Sequence, residues 1–288
     1  MNEADILIMS MADEHVFPFI RFQAETVKRH GGECKYIIWD IGLTENQVAE
    51  LSEIAEVKKF KNSIYEKHIK PIRNAFFRDG GGRSIISRAS LRKPFCLKAC
   101  VEMGYENILY LDADAFLNKY PFKIFEINFN IGVTFKGALK SGKPKLREAP
   151  NKYRFKLLNA GVQFFKGPKE KLIPYFDEYI CNYILKNPKI SDQGNLNCLI
   201  DRCEKWDWST PQGEFKLMVK NNKVRLQVLI LTCERYNRFV NNGGIPPFTI
   251  IGHAKGGRKR DFEINTWQDV ESWLRREGKI ARKANAKK

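Results

Sequence analysis

The chain has 288 residues, 43% of them hydrophobic, and a formal charge of +17, so it can bury a substantial core while remaining strongly basic. No run approaches the ~18 apolar residues of a membrane-spanning helix, the first ten residues lack a basic start and a small-residue cleavage site, and seven scattered cysteines without CxxC spacing argue against a disulfide framework or a structural zinc site. The charge asks for polyanionic partners, but with no RNP-like strand, zinc-finger spacing or helix-turn-helix, nucleic acid is not the expected one; a cytoplasmic protein is the expectation.

Residues 4–9 read as a first buried strand, followed by a loop from Ser10 to Asp13 and a helix presenting Phe17, Ile20, Ala24 and Val27 on one face. Gly31-Gly32 stops that helix, and residues 34–40 form a second strand ending in Asp40. Thr44 with Gln47 three residues on is a capping box for a second helix, and residues 57–60 form a third strand. Strand, helix, strand, helix, strand at this spacing predicts right-handed crossovers and a mostly parallel sheet flanked by helices. A helix over 90–103 precedes the run Ile108-Leu-Tyr-Leu111, an unbroken apolar strand.

Beyond residue 114 the pattern predicts a strand over 131–135, a lysine-rich loop over 136–154 and a strand over 157–165 interrupted by small residues. There follow a helix over 171–185, a helix opening at Asp192, a turn-rich stretch around Trp206 and Trp208, a strand over 224–231 and a last apolar run ending at His253. From Thr266, the residues Trp267, Val270, Trp273 and Leu274 share one face of a helix with a basic tail. Such an end suits either an anionic membrane surface or packing on the domain. The division expected is a single domain over 1–262 and a basic amphipathic end over 263–288.

Asp112 and Asp114 follow the apolar strand directly, at the carboxyl edge where α/β sheets bind ligands. Separated by one alanine, they lie on one side of the strand end. Two hard oxygen ligands this close suit Mg²⁺ or Mn²⁺ carrying a diphosphate; two solvated aspartates capping a strand are the alternative.

Four segments in order resemble glycosyltransferase family 8 of the GT-A fold. Tyr110-Leu-Asp112-Ala113-Asp114 is similar to its D-x-D, and Asn159-Ala160-Gly161-Val to its N-[SA]-G-V. Asp192-Gln193-x-x-x-Asn197 is similar to its D-Q-x-x-x-N, and His253-x-x-Gly256-x-x-Lys259 to its H-x-x-G-x-x-K, with Arg260-Asp261 in place of the usual Pro-Trp. The resemblance implies a GT-A, Rossmann-like nucleotide-diphospho-sugar transferase fold. It further implies a metal-dependent transfer of a hexose from a nucleoside-diphosphate sugar, with UDP the expected nucleotide, to a glycan, glycolipid or protein acceptor, with retention at the anomeric carbon.

The same resemblance implies roles for particular residues. Mn²⁺ (or Mg²⁺) would be held by Asp112, Asp114 and His253, and the nucleotide and diphosphate by Ser10, Ala12, Asp13, Asp40, Lys93, Ala113, Gly256 and Lys259. Asn159, Ala160 and Gly161 would meet the sugar or acceptor, and Asp192 and Gln193 would stand at the reacting centre. An anionic acceptor met by the basic segments would place the protein at the inner face of a membrane. Two rival functions are a sugar nucleotidyltransferase, which needs a glycine-rich loop after the first strand, and a non-catalytic module binding nucleic acid or anionic surfaces by charge.

Overall fold

A computed structural model describes residues 2–69, 90–135, 139–140, 143–144, 158–186, 192–200, 202–207, 212–219, 222–239, 245, 247–254 and 266–273. Its centre is a nine-stranded sheet. The first strand, β1 (Ile6–Ala12), pairs in parallel with β2 (Lys35–Asp40) on one side and with β4 (Asn107–Leu111) on the other, and β3 (Glu56–Lys59) closes the edge beyond β2. Beyond β4 come β9 (Leu158–Lys166), β6 (Ile131–Phe135), β12 (Asn222–Thr232), β11 (Gln212–Val219) and β10 (Glu204–Asp207). Only β9 and β11 run against the other strands, so the sheet is mostly parallel, as expected for crossover topology. The strand at Glu204–Asp207 lies in the stretch that the sequence marks as turns, and β12 covers the strand expected over 224–231. A small second sheet joins β5 (Ala115–Leu117), β14 (Ile251–His253) and β13 (Arg238–Phe239). The two-residue strands β7 (Leu139–Lys140) and β8 (Lys143–Pro144) form a short hairpin.

The helices cover both faces of the sheet. On β1, Ile6 and Ile8 enter the cluster that contains Ile20 and Ala24 of α1 (Phe17–His30) and Leu51 of α2 (Glu45–Ser52). Leu7, Met9 and Met11 enter the other, with residues of α3 (Lys93–Glu102), α4 (Lys169–Glu178) and α5 (Asp192–Ile200). That alternation is the two-residue period of a strand buried on both sides. The capping box at α2 is present, with the Thr44 hydroxyl accepting from the Gln47 backbone N–H and the Gln47 side chain answering in the other direction. The fourth helix continues beyond Glu178 in a wider π-helical turn, Tyr179–Ile184.

In β9 the parity changes part-way. Leu158 and Ala160 face the first cluster, whereas Val162 and Phe164 face the second. The β6–β9 register shifts between Val133 and Thr134, which pair with Gln163 and Asn159. This is a β-bulge at Ala160-Gly161-Val162, at the small-residue break seen in the sequence; bulges of this kind re-aim side chains next to functional sites.

The C-terminal helix, at 267–273, is capped by Thr266, whose hydroxyl accepts from the Asp269 N–H while Asp269 Oδ2 accepts from the Thr266 N–H. Val270 and Trp273 are buried against Phe22, Phe116 and Ala254, and Arg21 lies over the Trp267 ring. Of the two uses left open for this apolar face, packing on the domain is the one these residues show. Leu274 and the basic tail, like the 136–138 and 145–154 parts of the lysine-rich loop, lie outside the described residues. Among the described residues no helix is long and apolar enough to cross a membrane.

Candidate active site

The chain leaves β1 toward β2 on one side and returns to β4 on the other, so β1 is the switch point of the sheet. A crevice at the carboxyl ends of the strands is expected there. Asp13, Asp40 and Asp112 follow or end β1, β2 and β4 at that edge.

Directly after β4 the chain makes a tight turn, closed by the Ala115 N–H to the Asp112 carbonyl at 2.8 Å. Gln23 on α1 fixes this turn. Its Nε2 donates to the carbonyls of Asp112 (2.8 Å) and Ala115 (2.7 Å), and its Oε1 accepts from the Tyr36 hydroxyl. Emerging from the turn, β5 pairs antiparallel with β14, and His253 lies opposite Ala115. The Ala254 N–H donates to the Asp114 carbonyl at 2.8 Å. This small ladder brings a histidine 139 positions away to Asp114, with Nε2 2.7 Å from Oδ1.

Asp112, Asp114 and His253 thus offer ligand atoms within 4.8 Å of one another. Donors that lie about 2.0–2.6 Å from one ion are at most about 4–5 Å apart, so the cluster has the span of one coordination sphere. An unprotonated imidazole nitrogen and a carboxylate oxygen at 2.7 Å repel unless a proton or a cation joins them. Two carboxylates and an imidazole with partial solvent access to the acids suit Mn²⁺ or Mg²⁺. The residues present therefore fit the divalent ion that the motif implies.

The bulge in β9 is part of this corner. The Gly161 carbonyl accepts from the Asp112 N–H at 2.7 Å, and a Cβ on Gly161 would stand 2.5 Å from His253 Cε1 and 2.8 Å from Asp112 Oδ2. Only glycine allows so close an approach. Asn159 closes the bulge, its Oδ1 accepting from the Gly161 N–H at 2.9 Å; its own Nδ2 is buried and has no partner among the described residues. Ala160 contributes its carbonyl, which accepts from Lys93 Nζ (2.7 Å) and from Gln163 Nε2 (2.9 Å). These three residues shape the metal corner from behind.

Lys93 is buried at the start of α3. Besides the Ala160 carbonyl, its Nζ contacts Asp192 Oδ2 at 2.7 Å and Asp112 Oδ1 at 3.0 Å, and it lies over the Tyr110 ring. Burial pulls its pKa down, but the charges of Asp112 and Asp192 outweigh that, and the ammonium is held above its ordinary value. The Lys93 N–H bonds are taken by protein oxygens, and it braces two carboxylates. Tyr110 completes the brace, donating its hydroxyl to Asp112 Oδ1 at 2.6 Å; burial first and the Asp112 charge second push the phenol well up. Asp192, at the first turn of α5, also accepts from the Tyr179 hydroxyl through its carbonyl (2.8 Å), and Gln193 beside it is half-buried.

The nucleotide residues expected after β1 and β2 are placed differently. β1 extends through Ala12, so Ser10 lies inside the strand, wholly buried, and its hydroxyl is satisfied by Gln23 Oε1 and the Leu111 carbonyl. Ala12 is buried in the same strand, and Asp13 is the first residue of the loop, capping the next turn at the His15 N–H. Asp40 accepts from the N–H groups of Gly42 and Leu43 and from Lys59 Nζ at 2.8 Å. Burial raises its pKa, and those three partners together bring it below its ordinary value. Ser10 and Asp40 thus hold protein partners at the edge of the crevice. Ala113 is half-buried between the two acids, and Gly256 and Lys259 lie outside the described residues.

Gln23 through the turn after β4, Asn237 beside His253 Nδ1 at 2.7 Å, and Thr134 beside the Asn237 amide at 2.8 Å belong to the site and carry no sequence signal of it. Each is an isolated polar residue whose partners come from distant segments.

The mostly parallel sheet, the reversed β9 and the paired acids after β4 form a GT-A-type α/β fold, the fold of the solved structures that the chain resembles. No protein-family model matches the sequence, and no curated protein matches it. Among solved structures the chain is similar to the galactosyltransferase LgtC in complex with donor and acceptor sugar analogs. The identity is 14% and the TM-score 0.51, over 96% of this chain and 95% of that one. An active-site mutant of LgtC, with glutamate in place of glutamine, matches at 15% identity and TM-score 0.51, over 92% of this chain and 93% of the other.

Proposed function

We propose that the protein is a metal-dependent glycosyltransferase that moves a hexose from a nucleoside-diphosphate sugar, UDP-linked, to an acceptor hydroxyl with retention. The single observation that carries this reading is the convergence of Asp112, Asp114 and His253 at the switch point of the sheet. Asp112, Asp114 and His253 would hold a divalent ion there, which would supply positive charge to the diphosphate and Lewis acidity toward the leaving group. Gln23 holds the turn that aims the two acids, and Gly161 keeps the corner open.

Gln193 orients the sugar hydroxyls from the first turn of α5. An active-site glutamine in one of the structural neighbours supports giving it that role. Asp192 is held by Lys93 rather than free to attack, so the departing phosphate accepts the acceptor's proton in a front-side displacement. Gly256 and Lys259 are assigned to the same diphosphate. The net charge of +17 favours an anionic acceptor, a phosphorylated glycan or glycolipid at the inner membrane surface.

The sugar nucleotidyltransferase alternative is disfavoured by the loop after β1, Asp13-Glu14-His15-Val16, which runs into α1 without a glycine.

A screen of UDP- and GDP-hexoses with Mn²⁺ or a chelator tests the proposal by release of the nucleoside diphosphate. Mn²⁺-dependent release from at least one UDP-hexose is expected. Absence of release and of thermal stabilisation with every donor would sink it.

A further inference from the structure

His253 has two ring nitrogens facing oxygen. Nε2 faces Asp114 Oδ1 and Nδ1 faces Asn237 Oδ1, each at 2.7 Å. A neutral imidazole carries one proton, and only a nitrogen without one can bind a cation. Which nitrogen is bare therefore decides whether His253 can join Asp112 and Asp114 as a ligand.

The neighbours of Asn237 supply an answer. Its Nδ2 lies 2.8 Å from Thr134 Oγ1, and the Thr134 hydroxyl lies 3.2 Å from the Asn159 carbonyl. All four residues are wholly buried. With the Thr134 proton donated to Asn159, its oxygen accepts from the Asn237 amide, which turns the amide oxygen toward His253. An oxygen there can only accept, so Nδ1 must carry the proton. Turning the amide over would draw the Thr134 proton away from Asn159 and set an amide N–H against Nδ1.

We propose that Asn237 is a positioning residue that keeps the imidazole proton of His253 on Nδ1 and reserves Nε2 for the cation. The site role rests on the functional reading above; the proton placement does not. The chain Asn159–Thr134–Asn237–His253 links the bulge of β9 to the imidazole through β6. Outer partners of this kind set the tautomer and basicity of metal-binding histidines, and their loss typically costs 10–100-fold in metal affinity.

The test uses the whole chain, as wild type, Asn237→Leu and Asn237→Asp, with ¹⁵N-labelled histidine. Long-range ¹H–¹⁵N correlation reads which nitrogen of His253 holds a proton, without metal and with diamagnetic Mg²⁺; Mn²⁺ affinity is read by electron paramagnetic resonance. In wild type Nδ1 is expected to stay protonated in both conditions, with a proton joining Nε2 to Asp114 where no metal is bound and the cation taking that place when Mg²⁺ is. Asn237→Leu, which cannot accept, is expected to lose that signature and to bind Mn²⁺ about 10–100-fold more weakly. Asn237→Asp, whose carboxylate accepts the same proton, is expected to keep both to within a few-fold.

A bare Nδ1 in wild type overturns the proposal even if the leucine variant does not fold. So does wild-type Mn²⁺ affinity in a folded Asn237→Leu protein, or an aspartate variant as weak as the leucine one. Wild-type protein that binds no Mn²⁺ overturns the functional reading, and Asn237's role in cation binding with it. The Nδ1 signal then still reports whether Asn237 fixes the proton.

Discussion

Lys93 Nζ and Asp192 Oδ2, 99 positions apart in the sequence, meet at 2.7 Å inside the protein. The same ammonium touches Asp112, so one lysine serves an acid at the metal corner and an acid at the start of α5. Removing one partner of a buried ionic group costs more than the group contributes when complete, because the remaining charges stay desolvated. Lys93→Met is expected to lower stability by about 3–5 kcal/mol, measured by urea unfolding. Adding Asp192→Asn should restore part of that loss. A Lys93→Met protein as stable as wild type would remove the brace from this account.

Gly161→Ala tests the close approach of the bulge. A methyl 2.5 Å from His253 Cε1 and 2.8 Å from Asp112 Oδ2 must push a ligand aside or exclude the ion. Mn²⁺ affinity and transfer activity are expected to fall by about 100-fold or more, with a smaller change in stability, since overpacking costs about 1–3 kcal/mol. Calorimetric titration with Mn²⁺ and a thermal melt separate the two; unchanged affinity would refute the placement of Gly161.

For Asp114→Asn the prediction is loss of turnover with the fold kept. The side chain is partly exposed, and a neutral amide removes a charge from the cation site. A drop of about 10²–10³-fold in kcat is expected, the scale of losing one preorganised electrostatic contact to a developing charge. Circular dichroism and a donor-release assay together read it.

The Asp40–Lys59 pair predicts a dependence on pH. Asp40 has a depressed pKa in the folded protein, so it stabilises the fold above its ordinary value of 3.8, and that contribution is lost as pH falls through the lowered folded value. Lys59→Met weakens the depression. Because Lys59 is largely exposed, the loss at neutral pH is expected to be roughly 0.5–1 kcal/mol. Denaturant unfolding of both proteins should show the gap at pH 7 and its closure in acid; a gap of constant size would dissociate Asp40 from the effect.

Trp273→Ala separates the two uses of an amphipathic helix. With the ring buried against Phe22 and Phe116, truncation is expected to cost about 3–5 kcal/mol. Binding to anionic vesicles, measured by sedimentation, should be unchanged under conditions where the variant stays folded. Weakened vesicle binding with intact stability would return the ring to a membrane role.

These contacts also mark how far the sequence could be read. The unbroken run ending at Asp112, the capping box at Thr44 and the small residues inside β9 are local signals, and each appears in the fold where its chemistry requires. Asp114 and His253 were legible as a pair only through motif order; what unites them physically is the ladder between β5 and β14, which no local pattern specifies. Ser10 illustrates the opposite error. A small polar residue after an apolar run reads as the start of a loop, yet Gln23 satisfies its hydroxyl and the strand continues to Ala12. Gln23, Thr134 and Asn237 were silent because their partners come from other segments, and Lys93 was legible through the resemblance but its carboxylate partners Asp112 and Asp192 were not. Trp267 and Trp273 were ambiguous because the same stripe suits lipid or protein, and only Phe22 and Phe116 decide.

The small sheet that joins β14 to β5 has a consequence for how the molecule matures. During synthesis the two aspartates leave the ribosome well over a hundred residues before the histidine, so a nascent chain holds an incomplete, weak ligand set. On the proposed function, full-strength capture of the ion would wait until β14 has docked beside β5. Ion uptake would then report that the chain has been made and docked as far as β14, and a truncated product ending before residue 253 would lack the third ligand.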